Sequence, residues 1–215
     1  MECILIHGLG QTQESWEPVK RALPQEISAI CPDFRELLSE VPTTYPNLYG
    51  EFCRYCEGLE QPLNLCGLSL GGVLALDYAL NHPQQVRSVV LAAAQYRVPA
   101  ALLRFQNILF RMMPQRSFSG IGMGKQEVIE LMNSMMQLDF GEKLKSLSCP
   151  ALILCGEKDR ANRRASLELA QKLPLAQLQL VEGAGHELNV EAPQKMAEYL
   201  VKFYRQFGLN ETSAR

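Results

Sequence analysis

The chain is poor in histidine, in tryptophan and in unbalanced charge. Its 215 residues include three histidines and one tryptophan, and the formal net charge is −2. Near-neutrality removes the electrostatic basis for binding nucleic acid or an anionic membrane. No apolar run approaches the ~20 residues of a membrane-spanning helix. Met1 leads directly into "ECILIHG", with no basic n-region and no cleavage site, so no secretory signal is expected. The seven cysteines are odd in number, and Cys3, Cys66 and Cys155 lie inside apolar runs, where cysteine packs as a small hydrophobe. The pair Cys53 and Cys56 is a lone C-x-x-C in a helical stretch, with no second pair to complete a zinc site. These absences predict a cytoplasmic protein with no nucleic-acid or membrane partner. They also narrow the chemistry: any reaction that needs an imidazole must use His7, His82 or His186.

What is present is ordinary globular composition, 47% hydrophobic and 20% charged, in a length suited to one domain. Short apolar runs alternate with helical patterns. Strands are expected at Cys3–Gly8, in "ISAICPDF", "LNLCG" and "VRSVVLAAA", and later in "PALILCGEKD" and "AQLQLVEGAGH". Helices are expected in "SWEPVKRALP", with Ser15 as a possible N-cap, in "NLYGEFCRYCEGLEQP", in "LGGVLALDYALNHP" and in "NRRASLELAQKLP". A last helix aligns Met196, Tyr199, Leu200, Phe203, Tyr204 and Phe207 on one face. Continuous apolar strands alternating with helices argue for a parallel sheet covered on both faces. Residues 96–146 break this rhythm. They are helical in pattern and rich in methionine (Met112, Met113, Met123, Met132, Met135 and Met136), and read as a lid inserted into a core formed by 1–95 and 147–215. The tail "NETSAR" is expected to fray.

The stretch "LNLCGLSLGGVLALDYALNHP" puts Ser69 where a buried strand gives way to a buried helix. A nucleophile on such a corner sits in strained backbone, and its neighbours two residues away on either side crowd one another. Gly67 and Gly71 meet that need, and the corner aims the Leu70 N–H at the same space. A serine hydroxyl also needs a base, and the base an orienting acid. His186 follows the last strand in "EGAGHELN", on the edge where the carboxyl ends of parallel strands meet. Asp159 closes "LILCGEKD" on the same edge, with Glu157 a nearby alternative and Asp33 a distant one. The order Ser69, Asp159, His186 is that of the α/β-hydrolase arrangement.

Four blocks, "HGLGQTQESW", "GLSLGG", "LILCGEKD" and "GAGHELN", make nearly the whole chain resemble the α/β-hydrolase fold superfamily, most nearly its small bacterial serine carboxylesterases. The resemblance implies a mostly parallel sheet of about six strands under a short helical lid, with the family's first two strands missing. It implies an oxyanion hole from the backbone N–H groups of Leu9 and Leu70, a loop shaped by His7 and Gly8, and a helix anchored by Trp16. It implies hydrolysis of a carboxylic ester or thioester of a small, largely apolar acyl substrate, without metal or cofactor. A lyase reaction of the menaquinone-biosynthesis type, and a small-molecule sensor built on the same site, remain as alternatives.

Overall fold

The computed structural model describes residues 1–98 and 123–207. Met112, Met113 and the tail 210–215 lie outside the described residues.

Six strands, β1 (Glu2–Ile6), β2 (Ser28–Ile30), β3 (Leu63–Leu68), β4 (Val86–Ala92), β5 (Ala151–Gly156) and β6 (Ala176–Val181), form one sheet. The order is β2-β1-β3-β4-β5-β6 and every pairing is parallel, as expected. All residues of β3 and β5 are buried, which is why these stretches are continuously apolar instead of alternating. Successive side chains enter opposite layers. Ile4 and Ile6 pack with α3 (Tyr45–Glu57) and α4 (Leu70–Asn81), whereas Cys3 and Leu5 pack with Trp16 and α8 (Pro193–Gln206). Trp16 is fully buried in that second layer beside Val19 of α1 (Glu17–Ala22).

Several boundaries differ from the sequence reading. Ser15 does not cap a helix: it lies in a 3-10 turn, Gln13–Trp16, and its hydroxyl donates to the Thr12 carbonyl at 2.7 Å. The second strand ends at Ile30, and Asp33 caps a short helix α2 (Phe34–Leu37) by accepting the Arg35 N–H at 2.8 Å. That local side-chain bond offers the backbone a competitor to the sheet. Helix α3 starts at Tyr45, ahead of the expected Asn47, and Thr44 accepts the Asn47 N–H at 3.4 Å.

Between β4 and β5, Arg97 and Asp139 form an isolated antiparallel bridge, reinforced by their ion pair at 2.7 Å. Helix α5 (Lys125–Ser134) belongs to this segment. Met132 and Met135 are buried in the layer that holds α4, and Met136 packs against it. No helix among the described residues is long and apolar enough to cross a membrane. The remaining α-helices among the described residues are α6 (Arg160–Lys172) and the single turn α7 (Leu188–Glu191).

The connection from β1 runs to β2 on one side, and the chain then returns to place β3 on the other. Crevices form at such a switch point, outside the carboxyl ends of the strands. His7 follows β1 there and Ser69 follows β3.

Candidate active site

Ser69 has φ 53° and ψ −111°, a left-handed conformation uncommon for a residue with a side chain. Such strain costs about 1–3 kcal/mol and persists only where the surroundings impose it. Here the Ser69 N–H donates to the Ala92 carbonyl of β4 at 2.8 Å, and its carbonyl accepts the Val73 N–H at 3.0 Å. The glycines matter through close approach. A Cβ on Gly67 would collide with the Gly71 carbonyl, and one on Gly71 with the Ile6 carbonyl of β1. The start of α4 is thus pressed against the ends of two strands, which drives Ser69 outward to a half-exposed position. Leu70 is the first residue of α4, so its N–H has no acceptor within the helix.

Facing this corner is the loop after β1. Buried His7 accepts the Phe34 N–H at Nε2 (3.1 Å), so its proton is on Nδ1, which donates to the Gly8 carbonyl at 2.9 Å. Burial lowers the His7 pKa and keeps the ring neutral. The Gly8 carbonyl also accepts the Gln11 N–H at 3.2 Å. Two donors hold this oxygen, and in a trans peptide the N–H of Leu9 points the opposite way.

His186 and Asp159 meet directly. Nδ1 of His186 lies 2.9 Å from Oδ2 of Asp159, whose side chain is buried, whereas that of His186 is 45% exposed. The hydrogen bond to Asp159 raises the His186 pKa, against burial, and Glu187 and Glu191 add to the rise. Burial opposes ionisation of Asp159, but the hydrogen bonds from His186 and Asn162 outweigh it and hold its pKa below the ordinary value. The loop carrying His186 is clamped, not loose. Glu191 accepts the Gly185 N–H at 2.7 Å and the Glu187 N–H at 3.0 Å, one on each side of the histidine. A Cβ on Gly156 would strike the Gly185 carbonyl, so this loop folds back over the end of β5.

The other candidates are occupied elsewhere. Glu157 accepts the Gly183 N–H at 3.0 Å, and Asp33 binds the Arg35 guanidinium at 2.9 Å. His82 stacks on Tyr78 at the far end of α4, with ring centroids 4.4 Å apart. Among the described residues no cluster of three or more histidines, cysteines or carboxylates is arranged to hold a metal ion.

Sequence reasoning missed the amides that pack behind Asp159. Asn162 Nδ2 donates to both oxygens of Asp159, at 3.0 and 2.8 Å, and its own Oδ1 accepts from Gln95 Nε2 at 2.7 Å. An asparagine three residues after a helix-capping aspartate is a weak signal, since such residues usually face solvent. Buried Gln11 and Asn189, with the half-buried Ser15, form a further group between the β1 loop and α7.

Known proteins resemble this chain in sequence and in fold. A monoacylglycerol lipase of Xenopus laevis is 21% identical over 249 aligned positions, spanning 93% of this chain and 74% of its own. The structure of a thermophilic esterase from Thermogutta terrifontis superposes with a TM-score of 0.81 at 20% identity, over 96% of this chain and 90% of that one. An enol-lactonase from Burkholderia xenovorans LB400 gives 0.82 at 20% identity, over 95% and 91%. At such identities the structures speak for the fold alone. The sequence profile of the alpha/beta hydrolase family matches residues 3–199, and the chain belongs to that family.

Proposed function

We propose that the chain is a serine hydrolase that cleaves carboxylic esters or thioesters of small, largely apolar acids. Ser69 is the nucleophile, His186 the general base and then acid, and Asp159 the group that orients the imidazole and stabilises its charged form. The N–H groups of Leu9 and Leu70 receive the oxyanion, and His7, Gly8, Gly67 and Gly71 shape the backbone that presents them. His186 Nε2 takes the Ser69 proton as the oxygen attacks the acyl carbon, then returns it to the departing alcohol or thiol. Water, activated by the same nitrogen, releases the acid and frees Ser69. None of these steps calls for a metal or cofactor.

The observation that carries the reading is the 2.9 Å bond from His186 to Asp159, on the same strand edge as a serine in strained backbone. The relatives support it by their names: a monoacylglycerol lipase, an esterase and an enol-lactonase. The apolar acyl preference rests on the half-buried Leu9 in the oxyanion loop.

A panel of p-nitrophenyl esters of graded acyl length, with a fluorophosphonate probe, tests the reading. The probe is expected to modify Ser69, and Ser69→Ala to lower turnover by about 10⁶. Modification at another residue would reject the assignment. Turnover without any trappable acyl adduct on Ser69 would replace acyl transfer by proton abstraction.

A further inference from the structure

The group around Gln11 joins the loop after β1 to α7, with Gln11 and Asn189 178 residues apart in sequence. Gln11 Nε2 donates to Asn189 Oδ1 at 3.2 Å, and Asn189 Nδ2 donates back to Gln11 Oε1 at 3.0 Å. The result is a closed amide pair in which Asn189 is fully buried and Gln11 is 9% exposed. The orientation of Gln11 follows from chemistry. Its nitrogen also faces the Glu187 carboxylate, which only accepts, at 3.0 Å, and its oxygen faces the Gly8 N–H, which only donates, at 3.4 Å. Ser15 completes the group, with its hydroxyl 3.2 Å from Gln11 Oε1 and 3.1 Å from Asn189 Nδ2.

Each half of the pair touches one working part of the site. The Gln11 backbone N–H holds the Gly8 carbonyl, whose peptide plane carries the Leu9 N–H. On the other side, Glu187 directly follows His186 in the segment that Glu191 clamps, and Asn189 follows two residues later in α7. We propose that the Gln11–Asn189 amide pair is a positioning device that fixes the oxyanion loop and the base loop in one register, so that Leu9 N–H and His186 reach Ser69 together. The inference rests on the serine-hydrolase reading. A fully satisfied buried amide pair suits this task because it admits one geometry and penalises any slip that leaves a partner unpaired. Misplacement of a reacting group by about 1 Å can cost on the order of 100-fold in rate.

The test compares wild type with Gln11→Leu, Asn189→Leu and the exchanged double variant Gln11→Asn/Asn189→Gln, which retains an amide at both ends. Ser88→Ala serves as a control: it removes a buried hydrogen bond to Asn64 near the amino ends of β4 and β3, away from the carboxyl-end edge that carries Ser69. The readouts are kcat and KM on a p-nitrophenyl ester, the rate of fluorophosphonate modification, and Tm. Each single variant is expected to lose about 10- to 100-fold in kcat and in modification rate, with KM within about threefold. The exchanged variant should recover most of the loss, and Ser88→Ala should lower Tm while keeping kcat. If a leucine variant does not fold, Gln11→Asn alone, which shortens the reach by one methylene, is read in its place. Wild-type modification at Ser69 with single variants that keep kcat within about twofold would overturn the proposal and leave the hydrolase reading standing. So would losses that the exchange fails to repair. Absence of modification in the wild type would remove the hydrolase reading, and the proposal with it.

Discussion

Asp159 accepts more than its imidazole partner can give: the Asn162 amide donates to both carboxylate oxygens, and the Asn162 N–H reaches Oδ1 at 3.2 Å. Each donor stabilises the anion, so the carboxylate binds a proton, or an imidazolium, less strongly than it would alone. Asn162→Ala should therefore raise the His186 pKa further and move the acid limb of the kcat/KM profile to higher pH. In the wild type that limb is expected above the ordinary imidazole value of 6.5, because Asp159 raises the His186 pKa and, under the proposed serine-hydrolase reading, only the neutral ring takes the Ser69 proton. A pH–rate profile checks both statements; a wild-type limb centred below 6.5 would contradict the first link in the chain. Ser69, Asp159 and His186 could be picked out as candidates in the sequence because each carries a reactive side chain beside glycine or a strand end, and the structure brings Asp159 and His186 into contact. Asn162, in a helical pattern, and Gln95, in the stretch after β4, could not be picked out, because an amide looks the same in sequence whether it faces water or a buried polar partner.

At the scale of elements, the corner between β3 and α4 depends on contact distance more than on composition. Gly71→Ala would drive a methyl into the Ile6 carbonyl and push α4 off β1. The expected cost is about 3 kcal/mol, at the upper end of overpacking effects. That corresponds to a fall in Tm of about 6–12 °C for a chain of this size. On the opposite layer, Leu200 of α8 is fully buried among Trp16, Met196 and Phe203. Leu200→Ala should cost about 2–5 kcal/mol in chemical denaturation while leaving the acid limb of the pH profile in place. The apolar face of α8 was readable from helical spacing, although Tyr199 is half-buried and Phe207 is 36% exposed at the helix end. Short elements were not readable. α2 is one turn capped by Asp33, and the 3-10 turn through Ser15 has no period long enough to recognise.

For the molecule as a whole, the His186–Asp159 bond links stability to pH in a defined window. A raised His186 pKa contributes stability that is fully present below the unfolded value of 6.5 and fades as pH rises through the folded value. A depressed Asp159 pKa contributes stability present above 3.8 and lost as pH falls through the folded value. The Tm difference between wild type and His186→Gln should thus be widest between about pH 4 and 6.5 and shrink toward pH 9. A difference that grew steadily with pH would mean that the charged pair does not stabilise the fold.

The sequence by itself determined the parallel sheet, its two covering layers and the edge on which a serine, an aspartate and a histidine could gather. Apolar run length, period and glycine spacing are local properties, and they survive translation into structure. Only the tertiary structure decided that Glu157 and Asp33 are taken by Gly183 and Arg35, that Asn162 serves Asp159, and that Gln11 pairs with Asn189. Those outcomes turn on hydrogen-bond partners brought together by folding, and a buried amide or carboxylate carries no mark of its partner until the chain has closed around it.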